Sequence, residues 1–293
     1  MKSNPFSSAY DLEDDLLLIA DARNGSKPAL ENLIRKHQAY IYNVAHKMVL
    51  DPTDAEDLTQ EALIKIVTNL AKFNGQSSFR TWAYRIVVNH FLNARKKRVE
   101  QIVSTFSAFG RSLDETPDHE LTPEELVSRA DQVTEARTGC LSAMLLCFDR
   151  EQRLIYVLGE IFQIDHETGA PLFAISKENY RQKLSRARKE LNAFINHKCG
   201  LINRDNPCRC HKKTKAFIQR GWVDPENLQF ADSRLKKIRE VTKNREEEIA
   251  EAVDLEYANL YRQHPFQEKE YVSTIRRSIL ENPRIQEIFH FEE

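Results

Sequence analysis

Apolar residues recur at helical spacing along the first hundred residues, and this periodicity limits the fold more than any other feature. From Ala29 to Leu50 their spacing is close to the period of a helix with one apolar face. A second stripe after Pro52 comprises Ala55, Leu58, Ala62, Ile66 and Leu70. Only 8 glycines and 10 prolines occur among 293 residues, which leaves few tight turns for a β-barrel or sandwich. The sequence therefore predicts an all-α protein.

Composition and terminal sequence indicate a globular protein outside the membrane. Hydrophobic residues make up 41% of the chain, which is enough for a core. The mean hydropathy is −0.57, and no apolar run approaches the roughly 20 residues of a membrane helix. Residues 1–15 lack the pattern of a signal peptide. We therefore expect a cytoplasmic protein without membrane insertion, in which five cysteines do not form a disulfide framework.

Charge is balanced in total but segregated along the chain. The net charge is −1, yet residues 51–61 carry five acids and no base, and residues 80–98 carry six bases and no acid. Residues 100–135 are acidic again, and residues 177–220 are strongly basic. Two basic segments separated by an acidic one suggest two contacts with a polyanion. The alternative is that each run is a solvated helix face.

The first module combines an acidic helix face with an aromatic and basic segment. Asp54, Asp57 and Glu61 share one face, with Gln60 beside it. Clustered carboxylates serve acid–base or metal chemistry in some enzymes, but a protein-docking face explains them more simply. Phe73, Phe79, Trp82 and Tyr84 lie among arginines and amides. Aromatic side chains stack on unpaired bases while arginines hold phosphates, although some of these rings must belong to the core.

Residues 29–98 resemble region two of extracytoplasmic-function sigma factors, the promoter-specificity subunits of bacterial RNA polymerase. The resemblance is carried by Asp54-Ala-Glu-Asp-Leu-Thr-Gln-Glu-Ala and by the segment from Phe73 through Ser-Ser-Phe-Arg-Thr-Trp to His90. It implies that the acidic helix docks on the largest polymerase subunit through Asp54, Asp57, Gln60 and Glu61. It also implies a site that melts the minus-ten promoter element and holds a flipped base. That site comprises Phe73, Asn74, Gln76, Ser77, Ser78, Arg80, Trp82, Asn89, Arg95 and Lys96.

The second basic block is typical of a helix-turn-helix. Residues 165–173 predict a short helix, Ala174-Ile175 a turn, and Ser176 the N-cap of a recognition helix that reaches about His197. An apolar stripe packs inward, and the DNA-facing residues are Lys177, Arg181, Gln182, Ser185, Arg186 and Arg188. This block resembles region four of the same family, which binds the minus-thirty-five element. Gly169 and Pro171 depart from the family pattern and predict a short or kinked first helix. An ordinary amphipathic helix with a basic face is the alternative.

The predicted organisation has four consecutive parts. Residues 1–98 form sigma region two, 99–138 an acidic linker, 139–198 region four, and 199–293 a cysteine-containing basic segment with a mainly helical extension. We expect the linker to be mostly extended, with a short helix within residues 122–136. In the extension we expect helix from Ala231 onward and one or two final helices within residues 274–291. This tail either covers basic surfaces and holds the factor inactive or packs on the second module.

Three cysteines and two histidines lie within residues 197–211. Cys199, Cys208, Cys210 and a histidine, His211 being our choice, are enough for a structural zinc site. Their spacing is not that of a standard zinc finger, so a redox pair and plain reduced thiols stay open. Cys140 and Cys147 lie in apolar helical sequence and are expected in the core. No cofactor is otherwise required.

These patterns together predict a bacterial sigma factor that performs no covalent chemistry. It would bind core RNA polymerase, direct it to promoter DNA and assist opening, with an anti-sigma factor as a candidate partner. The main alternative is a stand-alone helix-turn-helix regulator, which needs neither the acidic face nor the Ser77–Trp82 segment. A carboxylate-dependent nuclease is a third class, and it would require the acidic residues to converge on a metal.

Overall fold

The structure is a computed structural model that describes residues 5–6, 10, 12–102, 105–228 and 271–289. Those residues form helices and contain no β-strand. The helices are α1 (Leu12–Arg23), α2 (Lys27–Val49), α3 (Pro52–Thr68), α4 (Phe79–Asn93), α5 (Arg98–Ile102), α6 (Phe106–Asp114), α7 (Pro123–Ser128), α8 (Ala130–Leu145), α9 (Arg150–Tyr156), α10 (His166–Phe173), α11 (Lys177–Lys198), α12 (Cys210–Gln219), α13 (Tyr271–Leu280) and α14 (Pro283–Phe289). A 3₁₀ turn at Leu70–Lys72 follows α3, and a π-helical turn at Val157–Ile161 follows α9. The prediction of an all-α fold is confirmed.

The chain divides into two compact units whose segments are not consecutive. The first comprises Met1–Val99, Val157–Lys183 and Phe266–Glu293, and the second comprises Glu100–Tyr156 and Leu184–Pro265. The predicted region four therefore contributes residues to both units. The functional boundaries at residues 98, 138 and 198 stay predictions.

Helices α2, α3 and α4 form the centre of the first unit, and local sequence signals decide where they begin. The Ser26 hydroxyl accepts a hydrogen bond from the backbone N–H of Ala29 at 3.3 Å, and Pro28 lies in the first turn. Asp51 caps α3 by accepting from the N–H of Asp54 at 2.9 Å. Ser78 caps α4. The apolar stripes of these helices are buried against one another, as their period predicts.

The predicted first helix of the helix-turn-helix, α10, packs against α4 in this unit. Asp165 caps α10, and Ala174 ends it in the left-handed conformation with φ 54°. Gly169 has a steric reason to be glycine, since a Cβ there would lie 2.5 Å from Cζ of Tyr180. The residue that departs from the family pattern therefore allows the ring of Tyr180, near the start of α11, to approach the backbone of α10 closely.

The last two helices also belong to the first unit. Helix α13 packs on α2 and α3, and α14 packs on α3. Ile275, Ile279 and Ile285 are buried there, and Arg276 forms an ion pair with Glu31 at 3.0 Å. The prediction of final helices is confirmed. The expectation that they pack on the second module is wrong, because their apolar faces lie against α2 and α3. The helix expected from Ala231 lies outside the described residues.

The second unit corrects the expectation of a mostly extended linker, because residues 98–145 contain four helices. The N-cap Thr105 and the helical spacing of Phe106, Phe109 and Leu113 define α6. Thr122 and Glu125 form a reciprocal capping box at the start of α7. The abundance of serine, threonine and acids in this segment obscured a short amphipathic pattern that was present in the sequence.

A buried ion pair joins the start of this segment to α9. The carboxylate of Glu100 accepts from Nη2 of Arg150 at 2.6 Å and from Nη1 of Arg153 at 2.9 Å. Arg153 also donates to the carbonyls of Leu146 and Phe148. Burial lowers the pKa of the Arg153 guanidinium, while the charge of Glu100 opposes that shift. The acidic linker thus supplies a structural counter-ion that sequence reasoning missed.

Candidate nucleic-acid interface

The acidic face of α3 is only partly open to solvent. Side chains of Asp57 and Glu61 are 55% and 61% exposed, whereas that of Asp54 is 26% exposed. Lys97, which follows α4, lies 2.9 Å from Asp54 and 3.4 Å from Asp57. Hydrogen bonding to Asp54 is the main cause that raises the pKa of Lys97. The structure brings these acids together on one face, with a lysine already bridging two of them.

Gln60 lies at the edge of this face and is half-buried. Its Nε2 donates to the hydroxyl of Ser278 in α13 at 2.8 Å. Glu61 is next to His90, with 3.5 Å between Oε2 and Nε2. Sequence reasoning placed Gln60 beside the acids correctly, but the contact with α13 depends on a residue more than two hundred positions away.

The segment between α3 and α4 forms an exposed turn above an aromatic floor. Asn74, Gln76 and Ser78 are exposed, and the side chain of Asn74 accepts from the backbone N–H of Gln76 at 3.3 Å. Gly75 adopts φ +75°, which only glycine enters without strain. The polar side chains of Asn74, Gln76 and Ser78 are therefore presented on a turn of defined backbone conformation.

The aromatic floor consists of Phe73, Phe79 and Trp82, whose ring centroids lie 5.5–5.7 Å apart. Phe73 and Phe79 are buried, and Trp82 is half-buried. Among the three, Trp82 is the ring that presents a surface to a ligand in this conformation. Phe73, predicted as a promoter contact, belongs to the core beneath the turn.

Two arginines of the first unit hold backbone near this turn. Arg23, which was not predicted, donates to the carbonyls of Leu70 and Phe73, and the only sequence signal for it is a basic residue in the last turn of α1. Arg80 was predicted to contact DNA. Its Nη1 donates to the carbonyl of Pro5 at 2.8 Å, and its guanidinium lies 4.9 Å from the ring centroid of Phe6. Asn89, Arg95 and Lys96 are exposed on or just after α4.

Helix α11 has the two faces that its sequence predicts. Tyr180, Leu184, Ala187 and Leu191 are buried. The predicted DNA-facing residues are exposed except for the half-buried Ser185; they are Lys177, Arg181, Gln182, Ser185, Arg186 and Arg188. Ser176 caps the helix by accepting from the N–H of Asn179 at 3.1 Å. Arg181 is paired with Glu178 at 3.3 Å, an exposed pair that a phosphate can displace at little cost.

The predicted zinc ligands lie in the second unit. Cys199 is buried, and Cys208, Cys210 and His211 are half-buried. Within the described ranges, no three or more Cys, His, Asp or Glu side chains are already arranged as a metal centre. Across residues 12–102, 105–228 and 271–289, no helix has both the length and the apolar content needed to cross a bilayer.

Comparison with known proteins agrees with this geometry. Residues 33–100 match the sigma-70 region 2 family model, and this range spans most of α2, all of α3 and α4, and the turn between them. The chain is similar to the RNA polymerase sigma factor YlaC of Bacillus subtilis, with 27% identity over 165 residues, covering 56% of this chain and 91% of that protein. It is similar to the RNA polymerase sigma-H factor of Pseudomonas aeruginosa, with 28% identity over 186 residues, covering 62% and 94%.

A third relative is the ECF RNA polymerase sigma factor SigE of Mycolicibacterium smegmatis. The identity is 25% over 177 residues, which is 60% of this chain and 65% of that protein. The region 2 match covers α3, α4 and the turn between them, and all three relatives are RNA polymerase sigma factors. Residues 33–100 of the chain thus match sigma-70 region 2, and the chain as a whole is similar to RNA polymerase sigma factors, among them one of the extracytoplasmic-function type.

Proposed function

We propose that this chain binds bacterial core RNA polymerase, directs it to specific promoters and assists in opening them. The observation that carries the proposal is the coincidence of the sigma-70 region 2 match with α3, the turn at residues 74–78 and α4. Each of these elements presents a chemically distinct set of exposed side chains. The chain acts as a specificity subunit and carries out no covalent chemistry of its own.

The acidic face of α3 is the proposed polymerase-docking surface. Asp57 and Glu61 project most of their carboxylates into solvent, so a basic partner reaches them without unfolding any helix. Asp57 also holds Lys97 at 3.4 Å in an exposed contact, and an incoming cation would replace that contact at a cost of at most about 1 kcal/mol. Complementary charge of this kind favours orientation and rapid association.

The turn above Trp82 is the proposed site for the minus-ten element. Asn74, Gln76 and Ser78 offer amide and hydroxyl groups to base edges, while the half-buried indole offers a stacking surface. Stacking of a base on an aromatic side chain contributes about 1–3 kcal/mol, which is comparable to the few kcal/mol that extruding a base costs. Arg95 and Lys96, which are exposed just after α4, are the proposed contacts to the DNA phosphates.

The exposed face of α11 is the proposed reader of the minus-thirty-five element. Arg181 and Gln182 lie in its first half, where a recognition helix contacts base edges. Arg186 and Arg188 lie farther along and suit phosphate contacts. A candidate anti-sigma factor would act on the same surfaces.

The first test is transcription by purified core polymerase, with and without this protein, on a mixed pool of bacterial promoter fragments. We expect protein-dependent transcripts whose start sites share upstream motifs at two positions. If the protein did not bind core polymerase and did not change the transcripts, the proposal would be refuted. The stand-alone regulator would then be favoured.

A charge-reversal pair tests the docking surface. Asp57→Lys should weaken core binding at least tenfold, because it removes an exposed carboxylate and adds a cation facing a basic partner. Asp21→Lys is the matched control, since Asp21 is an exposed acid on α1 of the same unit. Equal binding by the two variants would contradict the assignment of this face to the polymerase.

A further inference from the structure

Four of the five cysteines lie in neighbouring elements of the second unit, although Cys140 is far in sequence from the other three. Cys140 lies in the middle of α8, Cys199 follows the end of α11, Cys208 lies in the next loop and Cys210 begins α12. Helix α12 packs on α8, and Cys199 and Cys208 form an isolated parallel β-bridge. The fold therefore gathers Cys140 with the three cysteines that follow α11.

The loop between Cys199 and Cys208 is tightly built. Nδ2 of Asn206 donates to the carbonyls of Asn196 at 2.9 Å and Cys199 at 3.2 Å. A Cβ on Gly200 would lie 2.2 Å from the carbonyl oxygen of Cys208, so only glycine lets the two backbone segments approach this closely. The pairing of the two cysteines is thus a feature held by several specific contacts.

Burial and the neighbouring cysteines raise the pKa values of Cys140 and Cys210. Burial raises the pKa of the Cys140 thiol well above its usual range, and Cys210, Cys199 and Cys208 raise it further. Burial, followed by the nearby Cys199, raises the pKa of Cys210 to about 12. Cys140 and Cys210 are thus electrostatic neighbours of Cys199 and Cys208. A divalent cation bound by these sulfur atoms would displace their protons.

Basic side chains next to the cluster suit a thiolate-rich centre. A zinc ion with four thiolates carries a net charge of −2. Arg137 is a hydrogen-bonding neighbour of Cys210, and Lys213 and Arg209 are electrostatic neighbours of Cys208. His211, by contrast, follows Cys210 directly on α12, and adjacent helical residues point about 100° apart. Cys140, on the facing helix, is the better fourth ligand.

We propose that Cys140, Cys199, Cys208 and Cys210 form a tetrahedral site for a thiophilic divalent ion, zinc being the best match. Because no ready-made metal centre exists among the described residues, the four sulfurs must draw together as the ion binds. The ion would join the end of α11 to α8 and α12, and so fix where the proposed recognition helix ends. The site is structural, since four protein ligands leave no open position for a substrate.

Metal analysis of the full chain tests the proposal. Protein expressed with added zinc and purified under reducing conditions should contain one zinc ion per chain. Cys140→Ser and Cys208→Ser should each lower zinc affinity more than tenfold in competition with a chromogenic chelator. Cys147→Ser is the matched control: Cys147 is a buried thiol just beyond α8 whose pKa burial also raises to about 12, and the variant should keep full zinc content. His211→Ala should keep it as well.

Cobalt substitution identifies the ligand set independently of the stability of any variant. The wild-type chain with Co²⁺ should show the intense visible absorption of a tetrahedral all-thiolate site. Failure of the wild type to bind either ion would overturn the proposal, as would zinc loss in His211→Ala but not in Cys140→Ser. Detection of a Cys199–Cys208 disulfide in place of metal, by mass spectrometry without reductant, would also overturn it.

Discussion

Replacing Gly169 by alanine tests whether close packing, rather than helix propensity, dictates this position. Alanine inside a helix is favoured over glycine by about 1 kcal/mol, so sequence reasoning alone predicts stabilisation. In the structure, the added Cβ would lie 2.5 Å from Cζ, 2.7 Å from the hydroxyl oxygen and 2.8 Å from Cε2 of Tyr180. Carbon atoms pack at about 3.5–4.0 Å, so the ring must retreat by about 1 Å.

Tyr180 has little room for that movement, because its side chain is only 1% exposed. Overpacking of a close-packed core costs about 1–3 kcal/mol. After the gain in helix propensity is subtracted, Gly169→Ala should lower the free energy of unfolding by up to about 2 kcal/mol. The loss falls on the contact between α10 and the start of α11, the proposed recognition helix.

The chain offers a clean reporter for this measurement. It has two tryptophans, of which Trp82 lies in the first unit and Trp222 in the second. In a Trp222→Phe background, urea unfolding followed by fluorescence reports on the first unit alone. Tyr180→Leu should cost at least about 1 kcal/mol less when Gly169→Ala is already in place, because the smaller side chain removes the overlap. An increase in stability on Gly169→Ala, or additive effects of the two changes, would refute the steric reasoning.

Three further predictions concern stability. Glu100→Gln should destabilise the second unit by about 3–5 kcal/mol, since it removes the negative charge that faces two largely buried guanidinium groups. Urea unfolding followed through Trp222 measures this loss. Asp114→Asn is the control: it removes an exposed ion pair with Lys198 and should cost under about 1 kcal/mol. Ile279→Ala should cost about 2–5 kcal/mol in the first unit, because Ile279 is fully buried, and an equal loss from the exposed Ile288→Ala would contradict that reasoning. Burial lowers the pKa of Lys47 to about 8 from 10.5, so the unfolded chain binds more protons between these values and stability rises with pH across them. Lys47→Met should therefore stabilise by at most about 3 kcal/mol at pH 7, with the advantage shrinking by pH 10; a pH-independent difference would exclude the charge-burial explanation.

Local patterns predicted the elements that carry the proposed function. The period of α2 and α3, the Ser176 cap and the turn before α11 all depend on residues within one or two helical turns. Such signals act through backbone hydrogen bonds and neighbouring side chains, so they are present in any short stretch of the sequence. Residue types on an exposed face follow equally directly, and the basic face of α11 agrees with its prediction.

Contacts between distant segments were beyond that kind of reasoning. Phe73 was predicted as a stacking residue, but its burial depends on how α4 folds back over α3. Gln60 was expected to contact the polymerase, and the structure shows that it donates a hydrogen bond to Ser278 of α13. The linker was expected to be mostly extended with one short helix, and its helices are stabilised partly by the pairing of Glu100 with arginines some fifty residues away.

The cysteines show the division most clearly. The sequence by itself determined an all-α chain, the resemblance of residues 29–98 to sigma region two, the basic face of α11 and the local cluster of cysteines at residues 199–210. Only the tertiary structure decided that Cys140 joins this cluster, that α13 and α14 lie on α2 and α3, and that Gly169 makes room for Tyr180. The physical reason is that helix formation and capping are decided by nearby residues, whereas burial, ion pairing and ligand convergence depend on which distant surfaces the packed chain brings together.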